Sequence, residues 1–542
     1  MNPHNDQASL EVTIGRRAFL QLGTAFGAAM ALPPSPVAAG TVTGQTRALN
    51  AKPFQEPFEL DEVTISQLQA SLGSGKHTAR SLAELYLRRV DEVDSGGPAV
   101  HAIIERNPDA LADADALDAE RRTRGPRGAF HGIPVLVKDN IDTADKMRTS
   151  AGSLALAESV AGQDAPLVRR LRAAGALILG KANLSEWANF RSTHSVSGWS
   201  GRGGLTRNPY ALDRNPCGSS SGSAAGVSAN LAAVAVGTET DGSIVCPASA
   251  CGVVGIKPTV GLVSGAGIIP ISKSQDTAGP MARTVADAAL LLGVLANKDF
   301  SSALDPAGLE GARIGVARNL FGFNDRVDRV LEEALSAMRE AGARLVDPAK
   351  LPTGKQLEDA ELDVLLYEFK DGLDKYLAGL GPETPARSLA ALIDFNEQHR
   401  DREMPYFGQE LFLQAQAKGP LTDRAYRQAL ATCRRLSRAE GIDATLRKHR
   451  LAAIVAPTGG PAWVTDLLNG DHFTGGSSTL PAVAGYPAIT VPAGFVSGLP
   501  IGITFMGPAR SDWRLIKLAY AFEQATRLRR KPSLLPTADL SS

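Results

Sequence analysis

Cysteine is scarce in this chain: Cys217, Cys246, Cys251 and Cys433 are all that 542 residues contain. So few exclude a disulfide scaffold and any cysteine-rich metal site. Cys246 and Cys251 lie five apart in an apolar stretch and read as small core residues, although a bridge between them is open to a chain in an oxidising compartment. The eight histidines include no His-Glu-x-x-His pair or comparable ligand spacing, so neither metal nor cofactor is expected. Net charge is absent as well. The 57 Lys and Arg residues balance 57 Asp and Glu, which leaves no electrostatic case for nucleic acid or an anionic membrane as partner. No internal repeat of roughly 20 to 50 residues is visible, which speaks against solenoids and propellers. Glycine is in excess, with 54 residues or about 10% against a usual ~7%. An excess of that kind implies tight turns and close approaches of backbone.

The first 39 residues read as an address. Arg16-Arg17 precedes Phe19-Leu20, a mildly apolar run extends from Ala18 to Leu32, and Val37-Ala38-Ala39 supplies small residues for cleavage. That order is the n-region, h-region and cleavage site of an export signal, and the arginine pair resembles a twin-arginine signal. The run falls short of the ~18 apolar residues that suggest a membrane span. Periplasmic or secreted localisation is therefore expected, with no membrane association after signal removal. Residues 40–60 read as a linker or surface arm, and 61–542 as a single domain.

Beyond the arm, Thr64-Ile65-Ser66-Gln67 has the form of a capping box, and Ser81 to Val93 carries helical spacing. Short apolar runs then alternate with helical stretches: Ile133 to Val137, Ala165 to Ala174, Ala176 to Leu179 and Leu231 to Val236. Further strands are expected at Arg313 to Ala317, Arg344 to Val346, Ala452 to Val455, Ala488 to Val491 and Ile501 to Phe505. Helices are expected at Val327 to Ala341 and Trp513 to Thr526. This alternation predicts an α/β fold, with residues 356–449 as a helical insertion.

One segment differs from this background. Asn215-Pro216-Cys217-Gly218-Ser219-Ser220-Ser221-Gly222-Ser223-Ala224-Ala225-Gly226 is too small and polar to build core, yet apolar runs flank it; Gly237-Thr238-Glu239-Thr240-Asp241-Gly242-Ser243-Ile244 follows. A flexible linker does not continue directly into a long Ala/Val segment. A phosphate cradle lacks its Lys-Ser or Lys-Thr pair; the nearest approach, Gly73-Ser74-Gly75-Lys76-His77, lacks the first glycine and the hydroxyl. Gly218 to Gly222 satisfies G-x-S-x-G, but Asp213-Arg214-Asn215-Pro216 cannot form the strand that a nucleophile elbow requires. Serine chemistry with lysine as base remains. Free lysine has a pKa of ~10.4, so such a base must be buried or ringed by donors. Lys138, at the end of Ile133-Pro134-Val135-Leu136-Val137, has that placement.

These motifs resemble the amidase signature family. Those that match in order are the run ending Lys138-Asp139-Asn140, Gly180-Lys181-Ala182-Asn183-Leu184-Ser185-Glu186-Trp187, the Gly/Ser loop, the Thr240-Asp241-Gly242-Ser243 turn, Cys251 to Thr259 and Pro481 to Ala488. The resemblance implies a large twisted mixed β-sheet flanked by helices. It implies a Ser–cis-Ser–Lys triad with Ser243 as nucleophile, Ser219 preceded by a cis peptide bond and Lys138 as base. The backbone N–H groups of Thr240, Asp241, Gly242 and Ser243 would form the oxyanion hole, with Ser220 in support. Two departures stand out: Asp241 and Val245 occupy positions where much of the family has glycine and arginine. Cys217 replaces a loop glycine and is expected to pack nearby without acting as nucleophile. The Glu239 to Pro247 run with an export leader most resembles the bacterial members that remove the C-terminal carboxamide of peptides. A broader amidase for small aliphatic or aryl amides is the alternative, and a non-catalytic periplasmic binding protein is disfavoured because no triad residue is lost. Members acting on tRNA fit neither the leader nor the zero net charge.

Overall fold

The structure is a computed structural model that describes residues 57–352, 354–381 and 384–540. The export signal and most of the arm lie outside the described residues. The chain builds strands β1 (Ile103–Arg106), β2 (Pro134–Lys138), β3 (Leu177–Ala182), β4 (Trp199–Ser200), β5 (Gly204–Leu205), β6 (Val234–Glu239), β7 (Val254–Lys257), β8 (Thr277–Ala282), β9 (Arg313–Val316), β10 (Arg344–Val346), β11 (Ala453–Pro457), β12 (Ala488–Val496) and β13 (Leu499–Met506). Apart from the small β4–β5 pair, they form one 11-stranded sheet in the order β1-β3-β2-β6-β8-β7-β12-β13-β11-β9-β10.

The sheet is parallel in two places, across β3-β2-β6 and across β11-β9-β10, and antiparallel elsewhere. Strands buried on both faces read as unbroken apolar runs. Pro134-Val135-Leu136-Val137-Lys138 does so, and all five of its residues are buried. β7 and β8 escape the apolar-run reading because Gly255, and Gly279 beside Pro280, look like turn signals although both segments are buried strand. β6 begins at Val234, three residues later than the apolar run suggests; Leu231 to Ala233 are buried but bent.

Helices cover both faces. Thr64 and Gln67 close the capping box that starts helix Ile65–Gly73, and the main apolar cluster joins that helix to the sheet and to helices Val285–Ala296, Asp325–Glu340 and Asp512–Thr526. Between β10 and β11 the chain is helical, from Lys355–Ala378 to Asp443–His449. These helices pack through two further clusters. One sets Val364, Tyr367 and Tyr426 against Ile454 and Met506; the other sets Phe369, Phe412 and Leu392 against Trp187 and Phe190, in the segment after β3. A buried ion cluster adds to this anchoring, because Arg191 pairs with Glu186 and lies 3.6 Å from Glu403 of the helical segment. Among the described residues no helix is long and apolar enough to cross a membrane.

Candidate active site

Parallel pairing of β2 with β6 brings the chemistry together. The register sets Val137 beside Val236, so Lys138 leaves the sheet next to Gly237 and Thr238. Gly237 has no room for a side chain: a Cβ there would lie 2.8 Å from Ser220 Oγ. The Gly/Ser loop therefore lies directly on the end of the strand. It continues into helix Ser221–Ser228, whose Ser, Gly and Ala residues are all buried against the sheet.

Lys138 is fully buried. Its Nζ lies 2.8 Å from Ser219 Oγ, 3.0 Å from Ser220 Oγ, 2.9 Å from Thr238 Oγ1 and 3.3 Å from the Thr238 carbonyl. Burial lowers its pKa to about 7, against the opposing pull of the Asp276 and Glu239 carboxylates. The surrounding bonds assign roles to the hydroxyls. Ser220 Oγ gives its one proton to the Thr238 carbonyl at 3.0 Å and accepts from Thr238 N–H at 3.1 Å, so towards Lys138 it can only accept. Thr238 Oγ1 accepts from Asn140 Nδ2 at 3.0 Å. Ser219 carries no such commitment, and its proton is free to point at the lone pair of a neutral lysine. The peptide bond between Gly218 and Ser219 is cis.

Ser243 occupies the turn after β6. It keeps 8% of its exposure whereas Ser219 and Lys138 keep none, so the site opens to solvent at Ser243. Ser220 N–H donates to the Ser243 carbonyl at 3.1 Å, joining the two turns through main chain. Among the described residues no hydrogen bond links the hydroxyls of Ser219 and Ser243; apo catalytic contacts are often longer than those in the working complex. Among the same residues no carbonyl accepts from the backbone N–H of Thr240, Asp241, Gly242 or Ser243. The next two N–H groups are occupied, because Glu239 Oε2 accepts from Ile244 at 2.7 Å and Val245 at 3.0 Å. Gly242 has φ 80°, a conformation that suits glycine and turns the chain sharply before Ser243.

Several contributors were not singled out in the sequence. Thr238, Asn140 and Glu239 lie inside the family motifs, but only the fold shows what they touch. Asp276 had no local signal: it accepts from Thr240 Oγ1 at 2.6 Å and from Ile271 and Ser272 N–H, and burial raises its pKa to about 6. A cavity of about 280 Å³ adjoins the site, lined by Asn140, Ala188, Thr238, Thr240, Ile269 and Asp276 among others. A larger groove of about 550 Å³, walled by Arg127, Phe130, Arg170 and Lys298, holds none of these hydroxyls. Among the described residues no group of three His, Cys, Asp or Glu side chains is placed to hold a metal ion.

The cysteine expectation needs correction. Cys246 pairs with Cys217, and Cys251 is free and buried. Cys246 and Cys251 mark the two ends of the helical turn Val245–Ala250. Five residues along a helix of 3.6 residues per turn point roughly 140° apart, which takes Cys251 away from Cys246 and towards the Pro216 carbonyl, 3.7 Å distant.

Residues 81–516 match the family described as Amidase, and the chain belongs to this amidase signature family, with its mixed sheet flanked by helices and its amide-hydrolysing activity. The native peptide amidase from Stenotrophomonas maltophilia is 51% identical with a TM-score of 0.83, over 88% of this chain and 99% of that one. A second structure, of a peptide amidase bound to the competitive inhibitor chymostatin, is also 51% identical, with a TM-score of 0.84 over 88% of this chain and all of that one. A probable amidase of Arabidopsis thaliana is 41% identical over 88% of this chain and 93% of its own length.

Proposed function

We propose that this enzyme removes the C-terminal carboxamide of peptides as ammonia, through an acyl-enzyme on Ser243. The observation that carries the mechanism is a buried lysine, poised near neutrality, 2.8 Å from the uncommitted hydroxyl of Ser219. Neutral Lys138 takes the Ser219 proton while Ser219 takes that of Ser243, and Ser243 Oγ attacks the carboxamide carbon. The N–H groups of Thr240 to Ser243 face no backbone acceptor among the described residues and suit the developing oxyanion; one such donor is typically worth ~3 kcal/mol. Ser219 passes a proton to the leaving nitrogen, ammonia departs, and water cleaves the ester by the same relay. The products are the peptide acid and ammonia. Support for the substrate comes from the likeness to peptide amidases at 51% identity. The leader at residues 1–39 supports export to the periplasm.

Ammonia release distinguishes the readings when a peptide amide, its free acid, a small aryl amide and an internal peptide bond are compared. Turnover of the peptide amide alone is expected. Turnover of the aryl amide with none of the peptide amide would replace this substrate class with small amides. Ser243→Ala should lower kcat on the order of 10⁶-fold, and a variant retaining normal turnover overturns the nucleophile assignment.

A further inference from the structure

We propose that the Cys217–Cys246 disulfide positions the two serines for acyl transfer by clasping the turn that carries Ser219 to the turn that carries Ser243; this rests on the serine roles assigned above. The bridge links residues 29 apart in sequence with Cα atoms 6.0 Å apart. It enters two residues before Ser219 and three after Ser243, and the ring it closes contains Ser219, Ser220, Thr238 and Ser243, the hydroxyls gathered at or beside Lys138.

Each turn is held internally by its own bonds. Ser221 Oγ donates to the Cys217 carbonyl at 2.7 Å, and Cys217 N–H donates to Asn215 Oδ1 at 2.8 Å. Across the active site, Cys246 N–H donates to the Gly242 carbonyl at 2.8 Å, and Glu239 holds the two N–H groups after Ser243. Bonds from Ser220 Oγ to the Thr238 carbonyl, from Thr238 N–H to Ser220 Oγ and from Ser223 Oγ to the Val236 carbonyl hold the Gly/Ser loop to the end of β6; from there on, among the described residues, the direct ties between that loop and the segment around Ser243 are the Ser220 N–H to Ser243 carbonyl bond and the disulfide. One neutral hydrogen bond is a weak restraint on a gap across which a proton must pass, and a displacement of about 1 Å can lower a rate as much as 100-fold. The covalent clasp supplies the missing restraint. Cys246 is partly buried whereas Cys217 is 5% exposed, so the Cys246 side is the more open approach for a soluble thiol.

Reduction tests the clasp in the full chain. Dithiothreitol gives two electrons and two protons to the bridge, yielding the Cys217 and Cys246 thiols and the cyclic disulfide of the reagent. Thiol titration verifies that two new thiols form, and circular dichroism with a thermal melt follows the fold. Two rates are read in each state: steady-state hydrolysis of a peptide amide, and labelling of Ser243 by a fluorophosphonate followed by intact mass. After reduction, kcat and the labelling rate should each fall about 10- to 100-fold with KM within about twofold, and both should recover on reoxidation. The Cys217→Ala/Cys246→Ala double variant should behave like the reduced enzyme and ignore dithiothreitol. Unchanged rates with two thiols titrated overturn the proposal, as does a loss that merely tracks the unfolded fraction. An oxidised enzyme that labels at Ser243 but releases no ammonia from peptide amides refutes the substrate reading instead, and the labelling rates still decide the clasp.

Discussion

Two lysines close strands of the same sheet and meet opposite surroundings. Lys138 ends β2 and Lys257 ends β7, and both are fully buried, with pKa values lowered first by burial. Around Lys138 Nζ the neighbours within hydrogen-bond distance are three hydroxyls and a carbonyl. Around Lys257 the Nζ has no hydrogen-bond partner among the described residues, and three carboxylates, Glu239, Asp512 and Asp241, oppose the effect of burial where two, Asp276 and Glu239, do so at Lys138. Hydroxyls and a carbonyl suit an amine that loses and regains a proton, whereas carboxylates favour an amine that stays charged. The difference separates the proposed base from a lysine without a hydrogen-bond partner among the described residues, and strand position alone does not reveal it.

The strongest test of the contrast is Lys138→Ala, expected to lower kcat by up to about 10⁴-fold, the upper range for loss of a general base, while the enzyme stays folded. Lys257→Met should act on stability. It withdraws a positive charge that the buried Glu239, Asp241 and Asp512 carboxylates feel, so denaturant unfolding should come at a lower concentration, with kcat of the folded enzyme within about tenfold. A folded Lys257→Met as inactive as Lys138→Ala would erase the distinction between them. Glu239→Gln removes the charge-assisted grip on Ile244 and Val245 N–H, a loss of ~1.5–3 kcal/mol, read as a fall in kcat larger than any change in KM. The smallest effect is on pH dependence. Protonated Lys138 cannot accept a proton, so kcat/KM should rise with pH through a limb at about 7. Thr238→Val deletes an acceptor that favours the ammonium form, so the limb should move to lower pH by roughly one unit or less; a shift upward would contradict the role given to Thr238.

Much of the architecture was legible because burial leaves a mark on composition. β2, β12 and β13 are apolar runs, and the amphipathic spacing of Val327 to Ala341 places its helix within two residues of Asp325–Glu340. Two of the strands that escaped notice, β7 and β8, carry glycine or proline for tertiary reasons. A Cβ at Gly279 would lie 2.0 Å from the Ile256 carbonyl, so close strand approach imposed a residue that locally reads as a turn. The candidate site was legible for the opposite reason: a Ser/Gly loop bounded by apolar runs fits neither core nor linker. The Cys217–Cys246 pairing was not legible, since four cysteines allow several pairings and spacing favoured none.

Sequence by itself determined the inventory: a lysine at the end of a buried strand, two small-residue turns rich in hydroxyls, and motifs ordered as in the amidase family. These are local properties, written in residue size, polarity and period. Tertiary structure decided which lysine meets hydroxyls and which meets carboxylates, which cysteines join, and that Glu239 grips the chain just past Ser243. Those outcomes depend on distances between segments far apart in the chain. They were set when parallel pairing of β2 with β6 laid the Gly/Ser loop over the end of the sheet.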